Sequence, residues 1–130
     1  MLEARERIRQ RAKILAARQG FFSYCQVTAG DFYKPDRAYL KKTCDEMQAF
    51  LRSDDDVLIV CEPPRHGKSR TAGKLVEWVL GNDRTKKVMT GSYNKTLSTS
   101  FSKNVRNNID ETKADEDKII FSDIFPDVRI

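Results

Sequence analysis

The sequence predicts an α/β fold in which helices flank a parallel β-sheet. Residues 57–61 form an uninterrupted apolar run, the pattern of a strand buried on both faces. A polar loop and a helical pattern follow this run, and a second strand-like segment at 87–93 precedes another helical pattern. Strand, helix, strand and helix in this order make a right-handed βαβ unit of a parallel sheet.

Two helices are predicted before the apolar run. The first covers residues 2–18 and ends near Gly20, with one apolar stripe formed by Ile8, Ala12 and Leu15. An aromatic connector follows it. A second helix begins at Pro35 and runs to about residue 52. Its apolar positions recur at helical spacing: Leu40, Cys44, Met47 and Leu51.

Two more helices are predicted after the polar loop. The helix at 68–80 is expected to turn four apolar residues toward the sheet: Ala72, Leu75, Val76 and Val79. The helix at 95–109 carries apolar residues at steps of four: Leu97, Phe101, Val105 and Ile109. These side chains are the expected core.

The domain organisation follows from the small number of strands. Residues 1–30 are interpreted as a basic helical arm with its aromatic connector, and residues 31–130 as the N-terminal portion of an ATPase-type domain. Parallel strands need cover on both faces and both edges, and only two or three strands are visible. We therefore expect the sheet to be incomplete and the chain to be one piece of a larger α/β domain.

The charge is distributed unevenly along the chain. The net charge is +5, but residues 1–20 carry six basic and two acidic side chains, and residues 62–109 carry ten and three. This layout suits polyanionic partners, meaning a nucleotide and a nucleic acid. For the basic arm two interpretations stay open: a solvated helix packed on its own domain, or a helix that docks on DNA or on a protein.

The cysteines and the hydropathy bear on the compartment. Cys25, Cys44 and Cys61 are odd in number and widely spaced, so we expect neither a disulfide framework nor a metal site. Cys61 ends the predicted strand and is expected in the core. No apolar run approaches the roughly 20 residues of a membrane span. These features favour a reducing cytoplasm.

The loop between the apolar run and the next helix carries the strongest functional signal. It ends in Gly67-Lys68-Ser69, the second half of the phosphate-binding pattern G-x-x-x-x-G-K-[ST], while Glu62 stands where the first glycine belongs. Gly67 would let the backbone approach phosphates, Lys68 would contact the β- and γ-phosphates, and Ser69 would hold Mg²⁺ through its hydroxyl. The alternative is a chance Gly-Lys-Ser sequence in a strand-to-helix turn.

The other loop residues complete the predicted site. Arg65 could stabilise charge on the γ-phosphate like an arginine finger supplied in cis, or it could be a solvated surface arginine. Lys68 and Arg65 are the predicted catalytic residues. The predicted cofactor-binding set is Pro64, Arg65, His66, Gly67, Lys68, Ser69 and Arg70.

The stretch PPRHGKS at residues 63–69 resembles the variant phosphate loop of tailed-bacteriophage terminase large subunits, the ATPase motors of DNA packaging. Ser92-Tyr93-Asn94 with the helix after it, and the residues at 32–35, are similar to further stretches of that family. The resemblance implies an ASCE-type P-loop NTPase fold that binds ATP and Mg²⁺. It also places Tyr33 and Arg37 on the adenine side of the nucleotide.

The resemblance implies partners as well. They are double-stranded viral DNA, a terminase small subunit and the portal, with the parent protein forming a homo-oligomeric ring in the cytoplasm of the bacterial host. No membrane partner is implied. An ATPase of this kind needs an apolar strand ending in Asp-Glu, and the only candidate is the segment 119–123, which ends at Asp123. We therefore expect nucleotide binding without hydrolysis, and no nuclease activity.

Two other functions stay open. One is a different nucleic-acid-dependent P-loop ATPase, such as a helicase-like enzyme. The other is a non-catalytic module that binds DNA or a protein through the basic arm and keeps a vestigial loop.

Overall fold

The computed structural model describes residues 3–129, and within them helices are the only regular secondary structure, at 57% helix and 0% strand. The helices are α1 (Ala4–Gln19), α2 (Phe21–Thr28), α3 (Ala38–Leu51), α4 (Lys68–Asn82), α5 (Lys95–Ile109) and α6 (Phe121–Ile124). The predicted α/β fold, with the parallel sheet of a P-loop NTPase, is therefore wrong.

The two predicted strands are present only as unpaired, exposed segments. Val57 and Ile59 are 74% and 80% exposed, and Met89 is 97% exposed. No backbone hydrogen bond joins residues 57–61 to residues 87–93 in the part of the chain that the structure describes. A strand becomes stable only when a neighbour pairs with its backbone, and neither segment has such a neighbour here.

Helix α2 lies at the centre of the core. Its residues were predicted to form an aromatic connector, but Phe21, Tyr24 and Cys25 are completely buried in this helix. The helix packs against α1, α3 and α4. Trp78 of α4 joins this contact, because its ring lies 5.7 Å from that of Phe21. Burying each such side chain contributes roughly 1.5–3 kcal/mol.

The predicted helices are confirmed within three residues at each end, but two of them bury unexpected faces. In α1, Ile8 and Leu15 are 70% and 43% exposed, and Ala17 is buried instead. In α4, the predicted apolar stripe is only half-buried. The buried residues of α4 are Thr71, Gly73, Lys74, Glu77 and Trp78. The apolar face of α4 was predicted to contact a sheet, and helices replace that sheet as its partners.

The C-terminal segment covers the remaining side of the core. Ile119, Ile120 and Phe121 are buried, so the candidate Asp-Glu strand is instead the approach to α6. The Asp123 carboxylate accepts the Ile120 backbone N–H at 3.0 Å and the Lys113 ammonium at 3.2 Å, and so caps that helix. Cys61, expected in the core, is exposed.

Within residues 3–129, no helix combines the length and the apolar character needed to cross a membrane.

Candidate phosphate-binding loop and its groove

The loop turns into α4 through two residues with left-handed backbone conformation. Gly67, the residue before α4, has φ +82°, and Arg65 has φ +65°. The first helical bond follows directly, since the Thr71 N–H donates to the Gly67 carbonyl at 2.8 Å. Glycine adopts this conformation freely, whereas a non-glycine residue there costs of order 1–3 kcal/mol. The strain at Arg65 is the kind that accumulates at functional sites.

An aromatic ring closes one side of the loop. A Cβ placed on Gly67 would lie 2.4 Å from Cζ of Phe32, so only glycine fits under that ring. The guanidinium groups of Arg70 and Arg37 lie 4.6 Å and 5.2 Å from the ring centroid. Arg37 also donates to the Phe32 carbonyl at 3.0 Å. Phe32 therefore fixes the position of Gly67.

The start of the loop is held by α3. The Thr43 hydroxyl donates a hydrogen bond to the Glu62 carboxylate, which explains why a glutamate can stand where the usual pattern has glycine. His66 stacks edge-on against Tyr39 with ring centroids 5.3 Å apart, and its Nδ1 lies 3.1 Å from the Pro64 carbonyl oxygen. The contact with Tyr39 joins the loop to α3, and the contact with Pro64 lies within the loop.

Lys68 and Ser69, the first two residues of α4, line one end of a groove of about 1250 Å³. The groove runs between α4 and α5, and residues 90–92 of the second unpaired segment contribute to its wall. Gly73, Phe101 and Val105 form a less polar middle section. Both Lys68 and Ser69 are exposed, so their polar ends are free to meet a ligand.

The far end of the groove holds a buried polar network centred on Glu77. This side chain is 1% exposed and accepts hydrogen bonds from the Tyr24 hydroxyl at 2.7 Å and the Asn108 amide at 3.0 Å. The Lys74 ammonium lies 3.4 Å from Glu77 Oε1. Burial raises the pKa of Tyr24 well above 10.0, and the negative charge of Glu77 raises it further.

The structure brings together only part of the predicted site. Lys68, Ser69 and Arg70 line the groove, whereas Arg65 and His66 are not among its lining residues. The Arg70 guanidinium lies over the Phe32 ring. Pro64 is exposed at the loop surface.

The predicted adenine-side residues are engaged elsewhere. The Tyr33 hydroxyl lies 3.0 Å from Thr71 Oγ1, and the side chain is 1% exposed. The Arg37 guanidinium donates a hydrogen bond to the Phe32 carbonyl and lies over the Phe32 ring. Neither residue lines the groove beside α4.

The Glu77 network was not predicted from the sequence. Its signal was present, because Lys74 and Glu77 stand three residues apart in a helix that is otherwise apolar at its centre. A pair at this spacing usually lies on an exposed face, and only the contact with α2 and α5 makes it buried.

Among residues 3–129, no group of three or more His, Cys, Asp or Glu side chains is placed to hold a metal ion. Comparison of the chain with protein-family models, with curated proteins and with solved structures finds no match.

Proposed function

We propose that this chain binds ATP, with the phosphates at the start of α4 and the rest of the nucleotide in the groove between α4 and α5. One observation carries the proposal. Gly67 is held in left-handed conformation directly before α4, and Lys68 and Ser69 then open a groove large enough for a nucleotide. The residue types are those of the Gly-Lys-Ser phosphate motif.

The electrostatics at this helix end favour an anion. The 15-residue helix α4 has no acidic residue in its first turn, so its N-terminal partial charge of about +0.5 is not offset locally. Lys68 and Arg70 add two positive charges. The nearest loop carboxylate, Glu62, is hydrogen-bonded to Thr43.

The chain's residues fit Mg²⁺ only as a partner of the bound phosphates. Ser69 would hold the ion through its hydroxyl, and Mg²⁺ supplies charge neutralisation of the phosphate oxygens when it is bound. Lys68 would hold the phosphates. Three acidic residues line the groove, namely Asp31, Glu77 and Glu111. Glu77 is used by the buried network, and Glu111 is paired with Lys118 at 2.9 Å. Because residues 3–129 contain no strand ending in Asp-Glu, we propose binding without multiple-turnover hydrolysis.

The biological setting of the proposal rests on the sequence resemblance to terminase large subunits. In that setting the chain serves viral DNA packaging in the cytoplasm of a bacterial host. Its partners are double-stranded DNA, a terminase small subunit and the portal, and the parent protein forms a ring. The exposed apolar segments at 57–61 and 87–93 are compatible with further protein packing against this chain.

Isothermal titration with ATP, with and without Mg²⁺, tests the proposal in the wild type and in Lys68→Ala. The matched control is Lys95→Ala, because Lys95 is also an exposed lysine at the first position of a 15-residue helix. We expect Lys68→Ala to weaken binding by about tenfold or more, which is about 1.4 kcal/mol, and Lys95→Ala to leave it unchanged. Equal affinity in the two variants, or no wild-type binding at millimolar ATP, would favour the vestigial loop.

A further inference from the structure

The middle of the groove between α4 and α5 has an aromatic wall. Phe101 of α5 lines the groove there, and its side chain is half-buried. Gly73 of α4 lies beside it, since a Cβ on Gly73 would be 3.7 Å from Cε2 and 3.9 Å from Cζ of Phe101. The edge of the ring therefore rests on the α4 backbone. The part of the ring that the protein leaves uncovered is available to a ligand in the groove.

This aromatic wall lies at a suitable depth for a nucleobase. Gly73 stands four residues after Ser69, which places it about 6 Å along the axis of α4 from the proposed phosphate site. Residues four apart are neighbours on one face of a helix, and both residues line the groove. A nucleotide with its phosphates at Ser69 would therefore extend its sugar over about one helical turn and bring its base to Phe101.

A free amide stands next to the aromatic wall. Asn104 follows Phe101 by three residues on α5, lines the groove and is exposed. Its side chain has no hydrogen-bond partner within residues 3–129. Asn108, one turn further along, already donates to the Glu77 carboxylate at 3.0 Å. Asn104 therefore keeps both its amide N–H groups and its carbonyl oxygen for a ligand beside the ring.

We propose that Phe101 and Asn104 form the base-recognition part of this site and select adenine. Their role rests on the proposed function, since phosphates at Ser69 set how far the base reaches. The base stacks on the uncovered face of Phe101, a contact that aromatic side chains make with any base. The Asn104 amide donates to N7 of adenine and accepts from its N6 amino group. The same edge of guanine presents two acceptors, so the Asn104 carbonyl oxygen would face O6 or N7 without a hydrogen bond.

The charged side chains of the groove give guanine no better partner. A lysine bonds N7 and O6 of guanine well, but the two lysines at the far end of the groove are paired. Lys74 Nζ lies 3.4 Å from Glu77 Oε1, and Lys118 donates to the Glu111 carboxylate at 2.9 Å. The wall next to Phe101 is therefore neutral, which suits an amide contact to adenine.

Asp31 is the remaining acidic residue of the lining, and its carboxylate could accept from the amino group of guanine. It directly precedes Phe32 in the sequence, and the Phe32 ring covers Gly67. Asp31 therefore belongs to the phosphate end of the groove, about one helical turn away from the aromatic wall.

Isothermal titration with four ligands tests the two parts of the site separately. Adenosine probes the base part alone, inorganic tripolyphosphate probes the phosphate part alone, and the ratio of ATP to GTP affinity measures base selection. The test variants are Asn104→Ala and Phe101→Leu, which keeps an apolar side chain but removes the ring. The matched control is Asn107→Ala, because Asn107 is exposed and lines the groove but stands six residues from Phe101. Circular dichroism and emission from the single Trp78 check that each variant folds.

We expect the wild type to bind ATP about tenfold more tightly than GTP, and Asn104→Ala to reduce this ratio to about twofold or less. Phe101→Leu should weaken the binding of adenosine and ATP by about tenfold and leave tripolyphosphate binding unchanged. Asn107→Ala should keep the wild-type ratio. A residue that only supported the fold would change the affinities for ATP and GTP by the same factor.

Three results would overturn the base assignment: equal wild-type affinity for ATP and GTP, an unchanged ratio in Asn104→Ala, or the same loss in Asn107→Ala. Binding of tripolyphosphate that is lost in Lys68→Ala would still support the proposed phosphate site in each of these cases. The converse result is also distinct. Adenosine binding that depends on Asn104, without any tripolyphosphate binding, would support the base assignment and contradict the phosphate site.

Discussion

The contact between Gly67 and Phe32 is open to a direct test by Gly67→Ala. The new methyl group would lie 2.4 Å from Cζ and 2.5 Å from Cε1 of Phe32, well inside van der Waals contact. The ring cannot move freely, because the guanidinium groups of Arg37 and Arg70 both lie on it. The variant therefore combines a steric clash with a left-handed backbone that alanine avoids.

The size of the effect follows from these two terms. A left-handed conformation costs a non-glycine residue about 1–2 kcal/mol, and overpacking costs about 1–3 kcal/mol. The lower backbone entropy of alanine in the unfolded chain offsets about 0.4–1 kcal/mol of this sum. We expect the free energy of unfolding to fall by about 3 kcal/mol, which lowers Tm by about 10 °C for a chain of this length.

Urea unfolding followed by emission from Trp78 measures this change, because Trp78 is 7% exposed and its indole N–H donates to the Ala17 carbonyl. The matched control is Gly73→Ala. Its new methyl group would meet Phe101 and Val105 at 3.7 Å, an ordinary contact, inside a regular helix. We expect the control to stabilise the protein by about 0.5–1 kcal/mol.

A second substitution separates the two terms. In a Phe32→Ala background, Gly67→Ala should cost only the free energy of the left-handed backbone, because the clashing ring is gone. The coupling free energy between the two substitutions should therefore be about 1–3 kcal/mol. If Gly67→Ala were as stable as the wild type, or if its cost were the same in both backgrounds, the described packing of Phe32 on the loop would be incorrect.

Three further predictions concern the core. Cys61 should react at once with an aromatic disulfide reagent, while Cys25 and Cys44 should react only on unfolding, because both are buried and burial raises the pKa of the Cys25 thiol; three rapidly reacting thiols would contradict the packing of α2 on α3. Burial raises the pKa of both Tyr24 and Tyr33, so the folded state keeps these phenols protonated where the unfolded chain, with a pKa of about 10, releases the proton. Their contribution to stability is complete below about pH 10 and is lost as the pH rises above it. The urea concentration at the unfolding midpoint should therefore decrease as the pH is raised through about 10, and it should decrease less steeply in Tyr24→Phe. Gly81→Ala should destabilise the protein although it lies in a helix, because its Cβ would lie 2.4 Å from Cδ2 of Phe125; a gain in Tm would show that this ring is free to move.

The sequence predicted local structure well because helices are specified by nearby residues. The 3.6-residue periodicity placed the helix at 95–109 with the bounds that α5 has, and the loop residues before α4 were identified from their order alone. Gly67 was expected to let the backbone approach phosphates, which stays a prediction. The structure gives two other reasons for a glycine there, its φ of +82° and its contact with Phe32.

Tertiary structure was harder to predict, because apolar runs do not identify their partners. Residues 57–61 fit a buried strand, yet a strand also needs backbone partners, and the described chain supplies none. Once the sheet was assumed, the inward face of α4 followed from it, so the stripe from Ala72 to Val79 was expected to face inward. With helices as its partners, α4 instead buries Lys74, Glu77 and Trp78.

The proposed phosphate site at the start of α4 is tested most directly by backbone amide chemical shifts during titration with ATP and Mg²⁺. The account predicts that the largest shifts fall on Gly67, Lys68, Ser69 and Arg70, with smaller ones along the groove at Gly73, and that Lys68→Ala removes them. Shifts concentrated on α1, which carries five exposed basic side chains, with an unchanged loop and no effect of Lys68→Ala, would contradict it.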